Sequence, residues 1–418
     1  MRFVGSLPTR FLLALLAVLA GSGSALAEKT ARGSMEPEAQ MAVPVTLRQK
    51  IGQMILVGFP GNAPGHTGFE RVRAQVQAGE IGGVLYLGRN LKNRKTVRRM
   101  NADLVAAAPA HLPPLIAVDQ EGGVVQRLKR HHGFPQTVSA KQMAHRASPS
   151  EAVAAYGILA EGLAGWGFTL NLGPVVDVDI YPRNPIIGRL ERAYSRDPDR
   201  VAEYGAAFVE AHRQHGVLTT LKHFPGHGSS RRDSHKGAVD VSRTWSEKEL
   251  EPFRQLIAED RADLIMTAHV VNRTPPIGSG DVPVSLSKQA LSEVLRGDLG
   301  YSGVIISDDL QMDAIRRNYS LEEAVLRAVD AGTDILVFAN DKRPDPEIPG
   351  KVADILVQAA QQDDALAGKI DAAYGRILAL KRRLLPAAEQ QALSRGSLTK
   401  WLSAVEADPD RCSLMASQ

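Results

Sequence analysis

"GVIISDDL" spans residues 303–310, and its reading sets the fold. Val304, Ile305 and Ile306 form an apolar, β-favouring run that ends in two acids, Asp308 and Asp309. A run apolar at every position, not at every second one, fits a strand buried on both faces. A segment of helical period follows, "LEEAVLRAVDAG" at 321–332, with Gly332 as a stop signal. Then comes another run, "DILVFA" at 334–339. The same alternation extends backward through "MILVGF" (54–59), "GGVLYLG" (82–88), "PLIAVD" (114–119), "LNLGPVVDV" (170–178), "VLTTLKHF" (217–224) and "ADLIMTAHV" (262–270). "DALAGKIDAAYGRILALKRRLL" reads as a closing amphipathic helix with basic residues in its last turn. Eight buried strands with helices between them, over residues 46–385, predict an α/β fold, a (β/α)8 TIM-type barrel forming one catalytic domain. An open doubly wound sheet is the alternative. It is weakened because no glycine-rich phosphate fingerprint follows the first run.

The ends of the chain read differently. Residues 1–27 carry Arg2 and Arg10, an apolar run from Phe11 to Ala20, and Ala25-Leu26-Ala27. That is the pattern of a secretory signal peptide, and the run is too short for a permanent membrane span. A periplasmic or extracellular location is the expectation, with no integral membrane segment once the leader is removed. Residues 28–45 read as a linker, and 386–418 as a tail with a short helix near Trp401. The net charge of +4 falls to about +2 without the leader, too little to argue for nucleic acid. The single cysteine, Cys412, cannot form an internal disulfide.

Polar residues gather where the runs end: Asp119, Asp177, Lys222 with His223, His269, and Asp308 with Asp309. In this barrel the strand C-termini build the active-site face. Charges there are costly unless solvated, paired or used, so the set argues for an enzyme. Neighbouring strand residues point to opposite faces, so only one of Asp308 and Asp309 is expected to face a substrate centrally.

"KHFPGHGSSRRDSH", residues 222–235, allows three readings. His223, His227 and His235 could ligate a metal, but their spacing matches no compact motif and Lys222 would repel a cation. The segment could be a solvated loop. Or Asp233 could orient the ring of His235 and leave its far nitrogen free to donate or accept a proton. Gly226, Gly228 and two serines are expected to make the loop mobile, and His227 to serve packing within it.

These segments together resemble the family 3 glycoside hydrolases, in particular their single-barrel β-N-acetylhexosaminidases. The matching pieces are "AVDQEGG" with "VQR", "NPIIG", "KHFPGHG" with "DSH", "MTAH", "VPVSLSK" and "GYSGVIISDDLQM". The resemblance implies that Asp308 is the catalytic nucleophile and His235 the general acid/base, with Asp233 as its partner. It implies that Asp119, Arg127, Lys222 and His223 hold the sugar. Arg192 corresponds to a further sugar-binding arginine. The segment before it carries a short insertion, so Arg189 competes for that role. No metal and no cofactor are implied. The implied substrate is a non-reducing terminal β-linked N-acetylglucosamine, from cell-wall fragments, cleaved by a monomer. A histidine donor also leaves room for phosphate in place of water. Arg231 and Arg232 could meet carboxylates on such fragments.

Overall fold

A computed structural model of the protein describes residues 45–385. The leader at 1–27, nearly all of the linker and the tail lie outside the described residues.

Eight strands close into a parallel barrel: β1 (Ile55–Gly58), β2 (Gly83–Tyr86), β3 (Leu115–Val118), β4 (Leu170–Asn171), β5 (Leu218–Phe224), β6 (Leu264–Thr267), β7 (Val304–Asp309) and β8 (Ile335–Phe338). Each pairs with the next, and Ile55 of β1 pairs with Leu336 of β8 to close the ring. Each strand falls on one of the eight apolar runs, because a strand covered on both faces must be apolar throughout. The open-sheet alternative is thereby excluded.

Two runs are cut by backbone chemistry. "LNLGPVVDV" forms regular strand only over Leu170–Asn171. Pro174 has no N–H to give the ladder. Pairing with β5 resumes as a bridge at Val175 and Lys222, with the Val176 N–H donating to the Lys222 carbonyl at 2.8 Å. "ADLIMTAHV" turns after Thr267, and Val270–Val271 instead pairs with Val239–Asp240, downstream of the proton-transfer candidates.

A helix follows each strand, from Thr67–Gln77 after β1 to Ile348–Ala360 after β8. Their ends follow local rules. Thr46 and Ser320 close capping boxes with Gln49 and Glu323, and Gly332 ends Leu321–Ala331 at φ 112°, a conformation that favours glycine. The closing helix, Asp364–Arg382, is pinned beneath the barrel by Lys381, whose Nζ donates to Gln53 Oε1 and to the Gly82 carbonyl, both at 2.7 Å. Burial pushes that ammonium down to about 7. At the same end, buried Asp263 accepts from the Thr219 hydroxyl at 2.8 Å and pairs with Arg213 and Arg383, both at 2.7 Å. The N-terminal face is thus braced by ion pairs, and the opposite face is left for chemistry. Among the described residues no helix is long and apolar enough to cross a membrane.

Candidate active site

Asp119 leaves β3 at its C-terminal end and a small hairpin follows, Gln120–Gly122 against Val125–Gln126. Gly122 turns it at φ 108°, where an added Cβ would lie 2.4 Å from the Val138 carbonyl oxygen. The hairpin folds Arg127 back onto Asp119, Nη2 to Oδ2 at 3.1 Å. From the end of β5, Lys222 Nζ reaches Asp119 Oδ1 at 3.0 Å and Glu121 Oε1 at 2.7 Å. Arg192 clamps both oxygens of Glu121 at 2.8 Å. Burial opposes charge on both acids, but the Lys222, Arg127 and Arg192 cations win and hold both below the ordinary carboxylate range. Three cations face two carboxylates, leaving an excess positive charge. Arg127 Nε is buried with no partner among the described residues.

The two competing arginines are placed differently. Glu191, left-handed at φ 55°, ends the short turn Gly188–Leu190. Arg192 then points inward to Glu121, and Arg189 stays exposed without an ion pair among the described residues.

Asp177 follows β4 and is fully buried. Its Oδ2 accepts from His223 Nδ1 at 2.7 Å, and its Oδ1 from the His227 backbone N–H at 2.8 Å. A proton held on Nδ1 leaves the His223 Nε2 nitrogen free. Residues 221–230 are all buried. The Glu249 carboxylate accepts the N–H groups of Gly228 and Ser229 at 2.9 and 3.2 Å. A Cβ on Gly226 would lie 2.4 Å from Glu249 Cβ, and one on Gly228 would lie 1.7 Å from the Val178 carbonyl oxygen. The glycines therefore serve close packing, not the mobility their sequence suggests. The exposed stretch begins only at Arg231, whose guanidinium sits 5.4 Å over the Tyr181 ring.

Burial pushes Glu249 up from 4.5 to about 8. A folded-state value above the unfolded one gives a stability contribution complete below the unfolded value and lost as pH rises through the folded one. Glu249→Gln is thus expected to flatten stability between about pH 4.5 and about pH 8. Denaturant midpoints measured across that window check it, and an unaltered slope in the variant would clear Glu249 as the source.

Asp308 and Asp309 separate cleanly. Burial raises both, but positive charge from the neighbouring His269, His223 and His235, with the Asp309 N–H, holds the Asp308 carboxyl below the ordinary range. Asp309 Oδ1 instead accepts the N–H groups of Gln311 and Ala339, both at 3.0 Å, tying the strand end to β8. Burial pushes Asp309 up to about 6. His269 is oriented from two sides: its Nε2 donates to the Asp309 carbonyl at 3.1 Å, and its Nδ1 meets the Ser285 hydroxyl at 2.7 Å.

The Asp233–His235 pair forms as its spacing suggests. His235 Nδ1 and its backbone N–H meet Asp233 Oδ1 at 2.8 and 2.9 Å. The ring is 57% exposed, so its far edge is open to a ligand. The turn Ser234–Lys236 packs on the short helix Asp313–Arg316 that follows β7. A cleft of about 830 Å³ opens beside His235, lined by Leu310, Met312, Tyr319, Lys342 and Arg343 among others. The three histidines of the loop meet different partners, Asp177, Ser234 and Asp233. Among the described residues no three His, Cys, Asp or Glu side chains converge as metal ligands would.

The structure thus gathers Asp119, Arg127, Arg192 and Lys222 into one network through Glu121, and holds His223 on Asp177 and His235 on Asp233. Asp177 and His269 were visible in the sequence as strand-end polar residues without a role. Glu121 lies within the quoted "AVDQEGG" without an assigned role, and Glu249 gave no signal beyond its charge.

Comparison with known proteins gives the family. Residues 46–380 match the glycosyl hydrolase family 3 N-terminal domain. The chain is 35% identical over 265 residues to a beta-hexosaminidase of Tolumonas auensis, covering 63% of this chain and 76% of that protein. A family 3 beta-N-acetylglucosaminidase structure from Paenibacillus superposes with a TM-score of 0.73 at 33% identity, over 82% of this chain and 63% of that one. A beta-N-acetylhexosaminidase structure from Beutenbergia cavernae gives 0.71 at 30%, over 81% of this chain and 99% of that one. The chain spans a little under two thirds of the Paenibacillus protein and nearly all of the Beutenbergia one. With the barrel closed and the strand-end residues in place, the chain belongs to glycosyl hydrolase family 3.

Proposed function

We propose that this protein is a retaining β-N-acetylhexosaminidase that removes terminal β-linked N-acetylglucosamine. The observation that carries the reading is a histidine oriented by its own aspartate, His235 Nδ1 to Asp233 Oδ1 at 2.8 Å, with its far edge exposed on the face where β7 ends in Asp308 and Asp309. The names of the relatives support the sugar. Asp308 would attack the anomeric carbon as the glycosidic C–O bond breaks. His235 Nε2–H would give its proton to the departing oxygen. In the second half the same nitrogen would take a proton from water, and that oxygen would displace Asp308 from the sugar. Asp233 would hold the Nδ1–H through both halves. Asp119, Arg127, Arg192, Lys222 and His223 would grip the sugar hydroxyls.

Peptidoglycan fragments are the proposed source. Their leaving unit carries carboxylates. The cleft beside His235 offers Lys342 and Arg343, which have no ionic partner among the described residues, and Arg231 and Arg232 flank the dyad. An exported location is proposed on residues 1–27 alone.

The direct test is trapping with a mechanism-based fluorosugar and mapping the labelled peptide. The label is expected on Asp308, and a label elsewhere overturns the reading. Arg192→Ala should cut kcat/KM by about 10²-fold, since it also strands the buried Glu121 charge. Arg189→Ala should leave it nearly unchanged. Steady-state kinetics on a chromogenic N-acetylglucosaminide checks both.

A further inference from the structure

The segment that carries the proton-transfer pair is mostly exposed. Between Arg231 and Ala238 only Ser234 is buried, at 2% exposure, between the two members of the pair. Its hydroxyl meets His227 Nε2 at 3.2 Å. His227 is itself 2% exposed, and its backbone N–H donates to Asp177 Oδ1 at 2.8 Å. The other oxygen of Asp177 holds His223 Nδ1 at 2.7 Å. A continuous buried path therefore runs from His223, at the sugar end of the site, to the middle of the Asp233–His235 pair. Burial pushes His227 down to about 4, so the ring is neutral at physiological pH. The Glu249 carboxyl fixes the next two backbone N–H groups after His227, so the ring stands on a rigid base.

We infer that His227 and Ser234 form a strut that seats the proton donor relative to the sugar, and that both are positioning residues for the reaction. The physical reason is lever-like. A general acid must sit within hydrogen-bond reach of the departing oxygen, and a displacement on the order of 1 Å can cost about 10²-fold in rate. The dyad's own hydrogen bonds orient the ring within the turn but do not place the turn. Ser234 supplies the one buried attachment within this stretch.

This rests on His235 being the proton donor, and the test separates the two claims. Ser234→Ala removes the hydroxyl, and Ser234→Thr retains it. kcat/KM is measured on an unactivated disaccharide, chitobiose, and on a 2,4-dinitrophenyl glycoside whose leaving group needs no proton. Ser234→Ala is expected to lose about 10- to 100-fold on chitobiose and less than about threefold on the aryl glycoside, with Ser234→Thr recovering most of the loss. A merely structural role would lower both substrates together. Equal losses, or no loss on chitobiose, overturn the inference. His235→Ala is run alongside. If it too shows no split between the substrates, the proton-donor assignment itself has failed. If it shows the split and Ser234→Ala does not, only the strut has.

Discussion

Asp308→Asn is expected to lower kcat on every substrate by roughly 10⁴-fold or more, which at about 1.4 kcal/mol per tenfold is on the order of 5 kcal/mol of barrier. An amide cannot form the glycosyl ester, whatever the leaving group. The fold should survive. The Asp308 oxygen that accepts the Asp309 N–H at 2.8 Å is retained by asparagine. Asp309→Asn is the informative neighbour. Its Oδ1 also keeps the N–H groups of Gln311 and Ala339, so a loss of about tenfold or less is expected. The pH behaviour should differ too. The Asp308 carboxyl is held below its ordinary range, so the proposed nucleophile stays ionised through mildly acidic pH. Single-turnover kinetics of the two variants, with near-equal thermal midpoints as the control, checks the contrast. Comparable losses from both would mean the pair acts as a unit.

His235→Ala should show a loss that depends on the leaving group. On chitobiose the proton donor is needed, and kcat/KM should fall by about 10²- to 10⁴-fold. On a dinitrophenyl glycoside it is not needed for the first step, and kcat/KM should hold within a few-fold. The second step would then be slow, because no base remains to take the proton from water. Azide needs no base, so it should raise kcat and yield the β-glycosyl azide, the retained anomer. Product analysis by NMR reads the anomer directly. An α-azide would mean inversion, and no azide effect would mean that His235 does not serve the second step. The exposed position of the ring makes a folding failure an unneeded explanation. Asp233→Asn should follow the same pattern more weakly, since it disturbs only the orientation of that ring.

Much of this site was legible before any coordinates. The alternation of apolar runs with helical segments is a local property, because a doubly covered strand needs apolar residues at each position. It led directly to the closed barrel, and the barrel then led to the strand ends. The Asp233–His235 contact was legible for a similar reason: the two residues are two apart, and one turn brings the carboxylate to the ring nitrogen. The role of the loop glycines was misread. Close approach to Glu249 and Val178 requires them, and that approach joins segments distant in the chain.

Choices between neighbours lay beyond the sequence. Strand parity limits Asp308 and Asp309 to opposite sides but does not name the side. His269 and Ala339, from two other strands, name it. Arg189 competes with Arg192 on spacing, and a left-handed turn at Glu191 with a carboxylate from another loop turns Arg192 inward. His227 had no role until the fold set Ser234 against it. The sequence alone determined what depends on periodicity and short range: the strands, the barrel and the chemical types at its mouth. Only the tertiary structure decided which of two like residues faces the site and what fixes each charge, because those depend on partners brought close from different strands.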